Sequence, residues 1–373
     1  MIRIDELYNN TLWPWLQHNR PGIRLFFCDP PGSTNPDDLC NHGSMFMREK
    51  DFLFLHDQEP IHLDIHQPLF DKVVQANQDL VTGTVHPQLA TGLPGPVGAV
   101  ITSELGENLE ALCSMYQWKS HYYFYHGWAC LDWFRGYDKT FLIARARDRE
   151  PSRTFMSPNR IIGGKRDHRV LFLYKIYKNQ LEHNHISAPK ICPVEAVDII
   201  DVAKRYSAYY PDIIEVLLGA NLPRTFQGED TQQMSSCWLT NFAEAADSMI
   251  YVPTETVYFG RRLHITEKTF KAIALEMPFV LLAPAGSLAY MRRYGFQTFD
   301  SVWDESYDKE TNDFERLNKV SDLLCSLDRM SDNERQQMWQ QCLPIVEHNF
   351  NHFYGGGFAK ILWEELQHMM AGF

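Results

Sequence analysis

The sequence predicts an α/β protein of layered parallel sheets in two domains, on three observations. Short continuous apolar runs recur between turn residues, and such runs, unlike strict alternation, suit parallel strands covered on both faces. Helical patterns are interleaved with them, as α/β layers require. The 373 residues exceed one ordinary core, so two domains of roughly 150–200 residues are the natural division.

In chain order, IRLFF (23–27), DFLFLH (51–56) and VGAVITS (97–103) read as buried strands, followed by HYYFYHG (121–127) and KTFLIAR (139–145). A second set consists of AVDIID (196–201), SMIYVP (248–253) and PFVLLAP (278–284). Between the sets, residues 147–168 are polar, basic and rich in Pro and Gly, and read as an interdomain linker. From about residue 309 the chain is helical and charged.

Composition narrows the function. With 45% hydrophobic and 22% charged residues the chain is an ordinary globular protein. Its net charge of −12 argues against wholesale coating of nucleic acid or anionic membrane. The eight cysteines are scattered with no C-x-x-C pair, which suits reduced thiols. No run approaches the ~18 apolar residues of a membrane span, and no signal-peptide pattern opens the chain. A soluble cytoplasmic protein is expected.

The richest stretch is RRLHITEKTFKAIALEMPFVLLAPAGSLAYMRRYGF (261–296). Thr266 stands where a helix N-cap belongs, and Phe270, Ile273, Ala274 and Met277 share one helical face. Pro278 stops the helix, a strand-like run follows, Ser287 can cap a second helix and Gly295 closes it. Two helix N-termini then lie near strand ends, where N–H groups and the helix dipole attract anions and where ligands of open α/β sheets bind. In that first turn, Glu267 suits a ribose diol and Lys268 a diphosphate. Equally, Glu267 can complement the dipole while Lys268 is solvated.

Upstream, Gly163 and Gly164 with Arg160, Lys165, Arg166 and Arg169 precede the stripe Val170, Leu173, Tyr174 and Tyr177. This combination suits a phosphate-binding loop at a helix start, or else a flexible charged linker. In the N-terminal half, HDQEP places Asp57 and Glu59 after a strand, positioned either for general-base work or for bonding the turn backbone. His62, Asp64 and His66 alternate, so on a strand they would share one face. Surface histidines are the commoner use of that pattern and a metal site the rarer. His126, Trp128 and Asp132 combine ring and polar groups fit for a sugar or base, or for an aromatic core.

The chain lacks a P-loop, a dinucleotide-binding glycine fingerprint, a D-x-D and a G-x-S-x-G. Those absences argue against nucleotide-triphosphatase, dehydrogenase and serine-hydrolase chemistry, and against a D-x-D metal clamp.

Taken together, residues 248–296 resemble the donor-binding signature of the α1,3-fucosyltransferase-like glycosyltransferases, in which a strand ending in glutamate precedes a [TS]-E-K helix start. The segment PNR…HRVLFLYKIYKNQL (158–181) resembles the arginine-bearing helix of the same enzymes. HDQEP, YYFYHGWACLDWF and DESYD are similar in style to phage-encoded glycosyltransferase-like proteins. The resemblance covers about residues 150–310.

It implies a GT-B architecture of two Rossmann-like domains facing across a cleft: an acceptor domain (1–150), a donor domain (151–345) and a C-terminal helix (346–373) returning to the first. It further implies a metal-independent, inverting glycosyltransferase with no cofactor beyond its nucleotide-sugar co-substrate. Glu255, Glu267, Lys268 and Arg169 would bind the donor, Arg169 would stabilise the leaving diphosphate, and Asp57 or Glu59 would serve as base. The acceptor, met by His126, Trp128 and Asp132, would be either a hydroxymethylated pyrimidine in DNA or a glycan. A non-catalytic nucleotide- or nucleic-acid-binding protein of the same fold is the alternative.

Overall fold

The computed structural model describes residues 7–19, 24–27, 52–56, 60–64, 67, 68, 71, 98–226 and 238–372. The chain is α/β and divides into two compact units, Met1–Asp132 with Leu362–Phe373, and Trp133–Ile361.

The first unit begins with a π-helical turn, Tyr8–Leu12, and α1 (Trp13–Asn19). Strands β1 (Arg24–Phe27), β2 (Phe52–His56), β3 (Gly98–Thr102) and β4 (Lys119–Tyr122) form a parallel sheet in chain order. Its register pairs Leu25 with Leu53 and Phe54 with Val100. Continuous apolar runs thus become parallel strands, and Val100 and Ile101 are fully buried. Helix α2 (Glu107–Tyr116) crosses from β3 to β4, with Glu107 and Glu110 in its first turn and left-handed Gln117 closing it. β4 exposes Lys119 and Ser120, as suits an edge.

The expected strand over 121–127 stops at Tyr122. Helix α3 (Tyr125–Trp133) follows, with residues 125–132 all buried. A helix covered all round has no polar face, so its apolar run shows no helical period. The end of α12 (Gly357–Ala371) belongs to this unit, where Trp363 meets Trp128 edge-on at 4.8 Å and Glu365 Oε1 accepts the Phe124 N–H at 2.7 Å.

In the second unit, β5 (Arg153–Pro158), β6 (His185–Ser187) and β7 (Ser248–Tyr251) form a parallel sheet in the order β6-β5-β7. Phe279 and Leu282 bridge in parallel to Tyr251 and Thr254 on the outer side of β7. The run PFVLLAP therefore pairs as expected, but only through isolated bridges between its two prolines. The supposed linker contains β5, the middle strand of this sheet, with Thr154–Ser157 buried. A short buried run among polar residues carries too little apolar signal to read as a strand.

Two further expectations fail locally. Residues 139–145 run as bends and irregular backbone instead of a strand. There Arg145 lies over the rings of Phe141 and Phe350, 4.5 and 4.7 Å from their centroids, and pairs with Glu276. Residues 199–204 form helix α5 (Ile199–Lys204), because Asp198 Oδ1 accepts the Ile200 N–H at 2.8 Å and caps it.

The remaining helices are α4 (Asp167–Lys178), α6 (Ile213–Leu218), α7 (Phe242–Asp247), α8 (Glu267–Ala274) and α9 (Ser287–Arg293), then α10 (Asp313–Asp328) and α11 (Asp332–Tyr354). α8 packs Phe270 against Phe296, Phe353 and Phe358 at 5.3–5.7 Å between centroids. Gly295 closes α9 at φ +86°, and a Cβ there would meet His352 Nε2 at 2.6 Å, so both conformation and space demand glycine. Among the described residues no helix is long and apolar enough to cross a membrane.

Candidate functional site

In the second unit β5 has its successor β6 on one side and β7 on the other, so the sheet changes direction of growth between β5 and β7. Ligands of open parallel sheets bind outside the carboxyl ends of strands at such a switch point. Here the segment after β5 leads through Asn159 and Gly163–Gly164 into α4, and the segment after β7 leads through Thr254 and Glu255 toward α8.

Buried polar residues stitch the two segments together. Thr254 Oγ1 donates to Asn159 Oδ1 at 2.8 Å. Arg169, in the first turn of α4, donates Nη1 to Ile161 O (2.7 Å) and Nη2 to Thr254 O (2.8 Å) and Glu255 O (3.3 Å). Burial, followed by the charge of Arg166, lowers its pKa to about 9, which leaves it a cation at neutral pH. His168 places Nε2 3.0 Å from Glu255 O, and because a carbonyl only accepts, Nε2 carries the proton. The ring stacks on Tyr258 at 5.0 Å, and Tyr258 in turn lies under the Arg316 guanidinium at 4.4 Å. Burial and the neighbouring Arg169 hold the His168 pKa well below its usual value.

Glu255 is wholly buried and closes the N-terminus of α8. Its carboxylate accepts the Thr266 N–H (3.2 Å), the Thr266 hydroxyl (2.6 Å), the Thr269 hydroxyl (2.7 Å) and the Thr256 N–H (3.3 Å). Thr266 does occupy the N-cap position, but its hydroxyl donates to Glu255 and caps nothing itself. The anion expected at this helix start is thus supplied by the chain.

Lys268 is held rather than solvated: Nζ donates to Thr256 Oγ1, Thr266 Oγ1 and Glu267 Oε1, each at 3.1 Å. The Lys268 and Glu267 side chains keep 25% and 11% exposure, whereas the Glu255 oxygens are occupied by protein donors. Of the three, Lys268 keeps the most exposure, with Glu267 mostly buried beside it. Asn159, Thr254, Thr256 and Thr269 belong to this cluster without having been singled out in sequence, since each is an ordinary polar residue there.

In the first unit His126, Trp128 and Asp132 all lie on α3 and are buried. Trp128 packs on Trp363, and Tyr123 has no exposed surface. Asp57 and Glu59 fall outside the described residues, as does His66. His62 lies in an irregular segment and Asp64 in a helical turn, so the alternation of a strand is not present there. Among the described residues no group of three or more His, Cys, Asp and Glu side chains could hold a metal ion.

No family profile matches the chain, and no curated protein matches it. A structure of trehalose-6-phosphate synthase from work on glycosyltransfer with retention aligns over 96% of this chain and 84% of its own, at 12% identity and TM-score 0.36. An E. coli structure described as trehalose-6-phosphate bound with UDP-2-fluoro glucose aligns over 88% and 75%, at 12% identity and TM-score 0.35.

Proposed function

We propose that the chain is a glycosyltransferase that takes its sugar from a nucleotide diphosphate sugar bound at the carboxyl ends of β5 and β7. The observation supporting this is the switch-point cluster, where the Lys268 ammonium stays partly exposed beside the mostly buried Glu267 carboxylate, on a buried frame of Glu255, Arg169 and threonines. Carboxylates suit the hydroxyls of a ribose or sugar, and the cations Lys268 and Arg166 suit the diphosphate. Arg169 acts by fixing the backbone of both segments while adding positive charge behind them. Charge grows on the leaving diphosphate in the transition state, and preorganised cations stabilise it there. An inverting displacement further requires a base on the acceptor hydroxyl, for which Asp57 and Glu59 are the candidates.

For the acceptor, a hydroxyl on a glycan or small molecule is favoured over a base flipped out of DNA. Of the four rings suited to stack on such a base, Tyr122, Tyr123, Trp128 and Trp133, the second and third are packed in the core while the other two are half-buried. The net charge of −12 offers no broad face for a duplex. The test is incubation with a panel of nucleotide sugars and with glycan, hydroxymethylated-DNA and plain-DNA acceptors, following nucleoside diphosphate release and sugar transfer. Release with one donor supports the enzyme. Donor binding without release under any condition supports the non-catalytic alternative, and specific transfer to hydroxymethylated DNA would overturn the acceptor assignment.

A further inference from the structure

The glycine loop after β5 already holds an anion, the side chain of Glu195. A Cβ built on Gly163 would lie 2.3 Å from Glu195 Oε2, and one on Gly164 would lie 2.6 Å from Oε1. The carboxylate therefore rests directly on the two glycines, in space that any other residue would fill. Gly164 has φ +61°, a left-handed conformation that also favours glycine. Arg166 Nη1 stands 3.6 Å from Oε1, and the Cys192 thiol donates to Oε2 at 2.8 Å.

A tight turn delivers this carboxylate. Cys192 N–H bonds Val197 O at 2.8 Å, Ala196 N–H bonds Cys192 O at 3.0 Å, and Ala196 is left-handed. The Glu195 side chain nevertheless keeps 31% exposure, and its two polar contacts are a thiol, a weak donor, and a long ion pair with Arg166, both weaker than a direct charged hydrogen bond. The loop immediately precedes α4 at the sheet's switch point. There the Arg169 guanidinium, buried and with its Nε without a hydrogen-bond partner, adds positive charge that interacts with Arg166. The carboxylate thus puts negative charge in a space that only glycine leaves open, beside an arginine and next to a helix start, where a phosphate group would also be favoured.

We propose that Gly163, Gly164 and Arg166 form a phosphate subsite, and that Glu195 is its internal occupant, displaced when a ligand's phosphate or diphosphate binds. This rests on reading the switch point as the nucleotide-sugar site. Such an occupant lowers apparent affinity by the fraction of time it fills the subsite. It also discriminates against weak anions, because only a ligand with additional contacts can displace it.

The experiment measures binding of inorganic pyrophosphate, a nucleoside diphosphate and a nucleotide sugar to the full chain and to Glu195→Gln, Arg166→Ala and Gly163→Ala, with circular dichroism confirming the fold. Glu195→Gln should bind pyrophosphate about fivefold or more tightly than the parent, a modest coupling between two competing occupants. Arg166→Ala and Gly163→Ala should bind it more weakly. Equal pyrophosphate binding in the parent, Glu195→Gln and Arg166→Ala, or none in any of them, overturns the subsite. If the parent binds a nucleotide sugar and these variants bind it unchanged, the subsite falls while the donor reading stands. If Glu195→Gln gains pyrophosphate affinity but no form binds a nucleotide sugar, the subsite stands and the donor reading falls.

Discussion

The Glu255 carboxylate accepts a hydrogen bond from the Thr266 hydroxyl at 2.6 Å and thereby closes the helix that carries Glu267 and Lys268. One buried anion from the segment after β7 thus fixes the two residues proposed to meet the donor. Glu255→Ala leaves the Thr256 and Thr266 N–H groups and two threonine hydroxyls without this acceptor, at a cost of about 3 kcal/mol by urea unfolding. Glu255→Gln keeps an acceptor oxygen and should cost less. An alanine variant as stable as the parent would show that the carboxylate does not hold the helix.

Arg169 satisfies three main-chain carbonyls from inside the protein. Its replacement by alanine should lower stability by about 3 kcal/mol, because buried acceptors lose charged donors. Binding and turnover should fall together as the two segments loosen. Loss of kcat at unchanged stability would instead mark a direct contact with the leaving group.

The neutrality of His168 gives stability a pH dependence with a definite sign. The folded protein holds the imidazole neutral through burial and the charge of Arg169, while the unfolded chain takes a proton near pH 6.5. The unfolded state then binds more protons below that pH, so this contribution is complete above about 6.5 and declines as pH falls, by up to about 1.4 kcal/mol per unit. His168→Gln should flatten the slope between pH 7.5 and 5.5. An unchanged slope would show that His168 titrates normally.

Asp57→Asn and Glu59→Gln keep size and remove basicity. If the base lies in HDQEP, one of them should lose roughly 10²–10⁴-fold in transfer rate with donor binding intact. Parent-like rates in both would place the base elsewhere.

The α/β class, the parallel pairing and the helix starting after Thr266 were legible because apolar runs and terminator residues report on neighbours close in sequence. Gly295 is a clear case, since a helix end needs its left-handed backbone. The middle strand β5 was not legible, because Thr154 and Ser157 are buried by pairing on both sides and bear no local sign of it. Nor were the partners of Glu255, which lie eleven and fourteen residues away. Local reading identified Thr266 as a cap, and only the fold shows a distant carboxylate doing that work. The same limit applies to Glu195, whose place on Gly163 depends on a turn about thirty residues later in the chain. α3 was missed for the opposite reason, since burial on every side removed its period.

The most direct test of the central claim is an equilibrium binding measurement of a nucleotide diphosphate sugar to the parent, Glu267→Ala and Lys268→Ala, with melting curves to confirm folding. Loss of a charged hydrogen bond costs about 1.5–3 kcal/mol, so each variant should bind roughly ten- to a hundredfold more weakly while staying folded. Parent-like affinity in both folded variants would contradict the assignment of the donor to the ends of β5 and β7.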